Sequence, residues 1–145
     1  MVQVSRTFTV DKPVEFVVDY LADFGHAEQW DPGTQSCTRT DGSGPVAVGS
    51  TWRNVSKVLG RETELTYTLQ TYEPGHVVLK GENKTATSVD DIRVSDAGGG
   101  RSEVTYTADI TLNGAAKLGA PVMKVEMERL GSKTEDLMKE TFAKL

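Results

Sequence analysis

The chain has 145 residues and a mass of 15.7 kDa, enough for one domain with a substantial hydrophobic core. Hydrophobic residues make up 37% and charged residues 26%, which excludes a disordered or collagen-like chain. Sixteen basic against twenty-one acidic residues give a formal charge of −5, unsuited to a phosphate backbone, and the single cysteine, Cys37, excludes a disulfide framework or a cysteine-cluster metal site.

No stretch approaches the ~18 apolar residues of a membrane span. Met1 to Arg6 shows no charged leader followed by an apolar run, so a cytoplasmic location is expected. Val2–Val10 alternates with period two and predicts a strand. Asp11 is the expected N-cap of a helix running to about Asp23, with Pro13 in its first turn and Val14, Val17, Val18, Leu21 and Phe24 at helical spacing. Residues 26–30 predict a second short helical turn, ended by Asp31-Pro32-Gly33.

From Thr34 to Leu112 the chain is rich in threonine, valine and tyrosine and is broken by closely spaced turns. Six strands are expected near 34–40, 50–58, 62–72, 76–82, 86–95 and 102–112. Their short connections require an antiparallel meander, because parallel strands need long crossovers. A helix is expected from Pro121 to residue 144, with Met123, Met127, Leu130, Thr134, Leu137, Met138 and Leu145 on one face.

Local phrases occur in a distinctive order: Phe24 to Gly33 with its Trp30-Asp31-Pro32-Gly33 end, Val48-Gly49-Ser50-Thr51-Trp52, Leu59-Gly60-Arg61, Glu73-Pro74, Ser88 to Val94, and Ser102 to Tyr106. Together they resemble the START-like (SRPBCC) superfamily, in particular its polyketide cyclase/dehydrase and lipid-transport branch, over nearly the whole chain. The resemblance implies a single α+β domain with the helix-grip fold. In that fold a seven-stranded curved antiparallel sheet wraps around a long C-terminal helix, with two short helices between strands 1 and 2.

Strand parity locates the candidate chemistry. Leu65, Tyr67 and Leu69 share one face of their strand, and Val104, Tyr106, Ala108, Ile110 and Leu112 share one face of the last strand. By the same alternation Trp52, Asn54 and Ser56, and Ser88 and Asp90, point toward the helix side. Polar groups buried there need partners, which a cavity holding water or a ligand supplies. The alternative for Asp90 is a β-bulge that turns Asp90 or Asp91 to solvent. Adjacent Asp90 and Asp91 point to opposite faces and cannot form an acid/base dyad. Met123 and Met127 form an adaptable wall or ordinary core, and Trp30 is a lid residue or a core anchor.

The candidate ligand-binding set is therefore Trp30, Trp52, Asn54, Tyr67, Leu69, Asp90, Tyr106, Met123 and Met127, with Tyr67 and Asp90 as the candidates for a catalytic role. His26 and His76 lack a second ligand at metal spacing, so neither a metal nor a cofactor is expected. The expected partner is a small hydrophobic or aromatic molecule, such as a lipid or polyketide, that is bound and carried. A cyclase/dehydrase-type enzyme working in the same cavity is the first alternative. A co-chaperone-like interaction module is the second; it requires an exposed apolar patch, which the pattern does not predict. Oligomeric state is not legible.

Overall fold

The computed structural model describes residues 1–145. One antiparallel sheet contains strands β1 (Val2–Val10), β2 (Thr34–Arg39), β3 (Thr51–Val58), β4 (Arg61–Glu73), β5 (His76–Glu82), β6 (Ala86–Gly98) and β7 (Arg101–Leu112). Their spatial order is β1-β7-β6-β5-β4-β3-β2, a meander in which β1 closes onto the last strand. Helix α1 (Val14–Ala22), a 3-10 turn (Phe24–His26) and the short α2 (Ala27–Trp30) link β1 to β2, and α3 (Ala120–Lys144) ends the chain. No helix is long and apolar enough to cross a membrane.

Bulges sit in β2 between Thr34 and Ser36, in β4 between Leu69 and Thr71, and in β6 near its far end, between Asp96 and Gly98. Each adds local twist and helps the sheet curl. The β6 register is unbroken from Ala86 to Asp96, so the bulge that would turn Asp90 outward is not there. On the convex face, β1 and β7 are laced by side chains: Gln3 donates to Asp109 (2.8 Å), and Ser5 and Thr7 meet Thr107 and Thr105, each at 3.1 Å.

Two expectations for the helices need correction. Asp11 does not cap α1; the N-cap position belongs to Pro13, and Asp11 instead accepts a hydrogen bond from Arg101 (2.7 Å). On α3, Pro121 does occupy the first turn, where its missing N–H is harmless. The buried stripe, however, is Glu126, Met127, Gly131, Thr134, Met138 and Phe142. Leu145 lies past the last helical residue and is exposed, while Phe142 meets Tyr20 and Phe16 edge-on.

Helix α3 rests on the β1 edge and on α2. Gly131 makes the first contact possible: a Cβ there would lie 2.9 Å from Val4. Arg6 fastens the same edge, donating to the backbone carbonyl and the carboxylate of Glu128, each at 3.0 Å. Helix α1 covers the middle strands, above a dry layer of Leu69, Val77, Leu79, Ile92 and Val104, each with no exposed surface.

The β3–β4 hairpin turns through two residues, Leu59 (φ 54) and Gly60 (φ 75), between the paired Val58 and Arg61. Both positive φ values define a type I′ turn, whose first position suits asparagine and strains leucine. Leu59→Asn should therefore stabilise the fold by about 1 kcal/mol, read as a higher urea midpoint at unchanged slope. A lower midpoint would show that the leucine's contacts outweigh the strain.

Candidate functional site

Register brings the inward residues into rows across the sheet. One row runs Tyr67, Gly81, Ser88, Ile110 and Val2; the next runs Leu69, Leu79, Asp90, Ala108 and Val4. Gly81 decides the first row. A Cβ at Gly81 would lie 2.5–2.8 Å from Tyr67 ring atoms, so the ring lies sideways across β5 and extends toward Ser88. Tyr67 also packs on Phe24, ring centroids 4.3 Å apart.

Between these rows and α3 lies a cavity of about 530 Å³. Its floor is Leu65, Tyr67, Ser88, Asp90, Tyr106, Ala108 and Ile110; its roof is Met123, Met127, Leu130 and Thr134 of α3. Leu59, Arg61, Ala116, Gly119 and Val122 surround the mouth. Beside it, Leu59, Pro121, Val122 and Val125 line a shallow apolar groove, so an exposed apolar patch exists where the sequence pattern predicted none. It escapes a periodicity reading because it joins a hairpin tip to a helix start.

Two carboxylates reach the cavity. Asp90 is 5% exposed; its Oδ1 accepts from the Tyr106 hydroxyl (2.9 Å), while Oδ2 receives no hydrogen bond and opens on the cavity. Asp31 follows α2 and ends a chain of donors. Ser56 donates to Asn54 Oδ1 (2.6 Å), Asn54 Nδ2 donates to Thr34 (3.0 Å), and Thr34 donates to Asp31 Oδ2 (2.6 Å). The Gly33 N–H reaches Asp31 Oδ1 at 3.4 Å.

This difference sets the protonation pattern. Burial raises the pKa of Asp31, and its hydrogen bonds from Thr34 and Gly33 pull it back. Asp90 is pushed up to about 7, first by burial and then by the charge of Asp31, against which Tyr106 offers a single opposing hydrogen bond. Hydrogen bonding thus favours the charged form of Asp31, and Asp90 holds a proton that it releases near neutrality. Burial also carries the Tyr67 and Tyr106 hydroxyls well above their ordinary value, with Asp90 as the next cause for each; at Tyr67 the Ser88 hydroxyl acts in the opposite direction. Burial pushes the Cys37 thiol up to about 12, which disfavours its thiolate.

Of the sequence candidates, the structure brings Tyr67, Asp90, Tyr106, Met123 and Met127 together around the cavity. The other four lie elsewhere. Trp30 and Trp52 are core anchors set edge-on to Phe24, and their buried indole N–H groups find no acceptor. Asn54 turns away to hold Thr34, and Leu69 lies in the dry layer under α1. Asp91 points to the convex side, where it meets His76 at 2.8 Å. Asp31 was missed because Asp31-Pro32-Gly33 reads as a turn; an acidic residue directly after a buried tryptophan was the only signal. Gly81, next to last in β5, reads in sequence as the start of a turn, whereas the structure makes it the point of close approach for the Tyr67 ring.

A family model described as "Polyketide cyclase / dehydrase and lipid transport" matches residues 1–145. The chain belongs to this family. A sequence search of curated proteins gives no significant match. Among solved structures, a START superfamily protein from Mycobacterium smegmatis superposes with a TM-score of 0.81 at 12% identity, covering 98% of this chain and 97% of that one. The Zhui aromatase/cyclase from Streptomyces sp. R1128 gives 0.71 at 16% identity, covering 95% and 88%. Ginseng major latex-like protein 151 from Panax ginseng gives 0.72 at 12% identity, covering 97% and 96%. At such identities these likenesses establish the START-like helix-grip fold and leave activity open.

Because Asp90 has a higher pKa folded than unfolded, its contribution to stability is present near pH 4 and is lost as the pH rises to about 7. The loss should be on the order of 2–4 kcal/mol. Asp90→Asn keeps an acceptor for Tyr106 without a titrating proton. Urea unfolding at pH 4.5 and pH 8 should show the variant gaining on the wild type at the higher pH. A difference independent of pH would mean that Asp90 is not buried with its proton.

Proposed function

We propose that this protein binds, and carries, a small hydrophobic or aromatic molecule in the cavity between the sheet and α3. The observation that supports this reading is an open-mouthed cavity of about 530 Å³ with mostly apolar walls and a few convergent polar groups, the usual composition of a small-molecule site. An inner face of ordinary core would have been filled from α3. Here the α3 residues above the gap are methionines, leucine, glycine and threonine, which leave it open and can adapt to a guest.

A cyclase/dehydrase-type activity in the same cavity is the second reading, and one observation favours it. Asp90 releases its proton near neutrality beside the Tyr106 hydroxyl, as a general acid or base requires. On this reading Asp90 exchanges the proton, and Tyr67 and Tyr106 orient the substrate. Asn54 would act only through Thr34 and Asp31, as a positioning residue. An interaction-module role has less behind it, since the mouth groove is small and continuous with the cavity.

Native mass spectrometry of the protein from its own host tests the binding reading. The wild type should carry a co-purifying apolar mass, and Ile110→Trp, which fills the cavity floor, should not. Equal loading of the two would place the ligand elsewhere. Tyr67→Phe, which removes only the hydroxyl, should weaken binding of that molecule by about 0.5–1.5 kcal/mol with the unfolding transition retained. An unchanged affinity would remove Tyr67 from the set of ligand contacts.

A further inference from the structure

The cavity is unbalanced in charge. Asp31 and Asp90 reach it from two separate elements, the turn after α2 and strand β6. No lysine or histidine lines it, and its one arginine, Arg61, starts β4 at the exposed rim. From β4 and β7 the titratable groups facing Asp90 are the Tyr67 and Tyr106 hydroxyls; α3 contributes no charged side chain to the lining. The buried Glu126 of α3 faces the outer groove instead and is paired with Arg129 at 2.5 Å.

Two carboxylates without a counter-cation are an expensive arrangement in an apolar space, since burying charge unpaired costs several kcal/mol. Asp31 is relieved by the Ser56–Asn54–Thr34 donors. Asp90 is relieved only in part. It is nine-tenths buried, one oxygen is taken by Tyr106, and the other has no partner in the protein and is aimed into the cavity. Tyr67 and Tyr106 also line the cavity, and aromatic lining favours a cation over an anion.

Resting on the reading of the cavity as a binding site, we infer that its ligand is a hydrophobic or aromatic amine, bound as the ammonium with Asp90 Oδ2 as its counter-ion. The apolar body of the ligand lies against Met123, Met127 and Leu130, and its charged end is held at the Asp90 row. Binding drives the proton off Asp90, so affinity for an amine rises with pH up to the point where Asp90 is fully ionised. A neutral carbonyl ligand would behave oppositely, because it would need the protonated Asp90 as donor.

Three probes that share one skeleton separate these outcomes: 2-(1-naphthyl)ethylamine, 2-(1-naphthyl)ethanol and 1-naphthylacetic acid, titrated by calorimetry at pH 5, 6, 7 and 8. The amine should bind at least tenfold more tightly at pH 8 than at pH 5, with proton release at pH 6 seen as a dependence of the heat on the buffer's ionisation enthalpy. The alcohol should show no such rise, and the acid should bind weakest. Asp90→Asn should flatten the amine's pH profile and reduce its affinity at pH 8 to that of the alcohol. Ile110→Trp should abolish binding of the amine. Tight binding of the alcohol with an amine that is weaker at every pH, or an amine affinity that falls as the pH rises, overturns the assignment and leaves the cavity as a binding site. Failure of all three probes to bind overturns the assignment together with the binding reading.

Discussion

A curved sheet gripping one helix encloses more space than the helix can fill, and most of what is particular to this protein follows from how that excess is distributed. Helix α3 is pinned at its edge, where Gly131 lets it approach Val4 and Arg6 ties β1 to Glu128. Helix α1 fills one half of the concave face and makes it dry. The other half remains open beneath the N-terminal part of α3. Closing it would require larger side chains than Met123, Met127, Leu130 and Thr134, or a helix seated lower than the β1 contact allows.

The open half is also where the electrostatics are arranged. Both acidic groups are desolvated, but they are treated unequally. Hydroxyl and amide donors from β3 converge, through Thr34, on Asp31 and favour its anion, whereas Asp90 has one phenolic donor and a like charge nearby. Two carboxylates that would compete for one proton are thereby given distinct states. The same logic separates acid from base in carboxylate-pair enzymes. Here it leaves Asp90 with a proton that it releases near neutral pH, so the proposed carrier and cyclase readings draw on the same residue.

Much of this was legible in the sequence, and the failures share a cause. Alternation told which face Tyr67, Asp90, Tyr106, Trp52, Asn54 and Leu69 belong to, and the unbroken β6 register kept Asp90 on the inner one. Parity gives the face of a residue and not its position along the strand. Leu69 lies one row nearer α1 than Tyr67 and is therefore core, and Trp52 and Asn54 are diverted by Phe24 and Thr34. Asp31 was invisible to alternation because it lies in a turn. The long helix was readable from its spacing, but the terminal anchor was not: whether Phe142 or Leu145 packs depends on where α1 places Tyr20 and Phe16.

The unfavourable local terms also lie on the cavity side. Leu59 occupies a left-handed position at the mouth, and Asp31 and Asp90 carry burial penalties. Each is worth on the order of 1–3 kcal/mol against a typical net stability of about 5–15 kcal/mol. The α1 half shows no comparable strain, being aliphatic throughout its dry layer. Such a division is expected where a site is maintained against stability. It has a thermodynamic consequence: a guest that occupies the cavity and satisfies Asp90 removes part of the penalty only in the folded state. Ligand binding and folding are then linked, and the occupied protein is the more stable one by an amount set by ligand concentration over its dissociation constant. A protein built this way reports its occupancy through its own stability, most strongly at the pH where Asp90 would otherwise lose its proton unpaired.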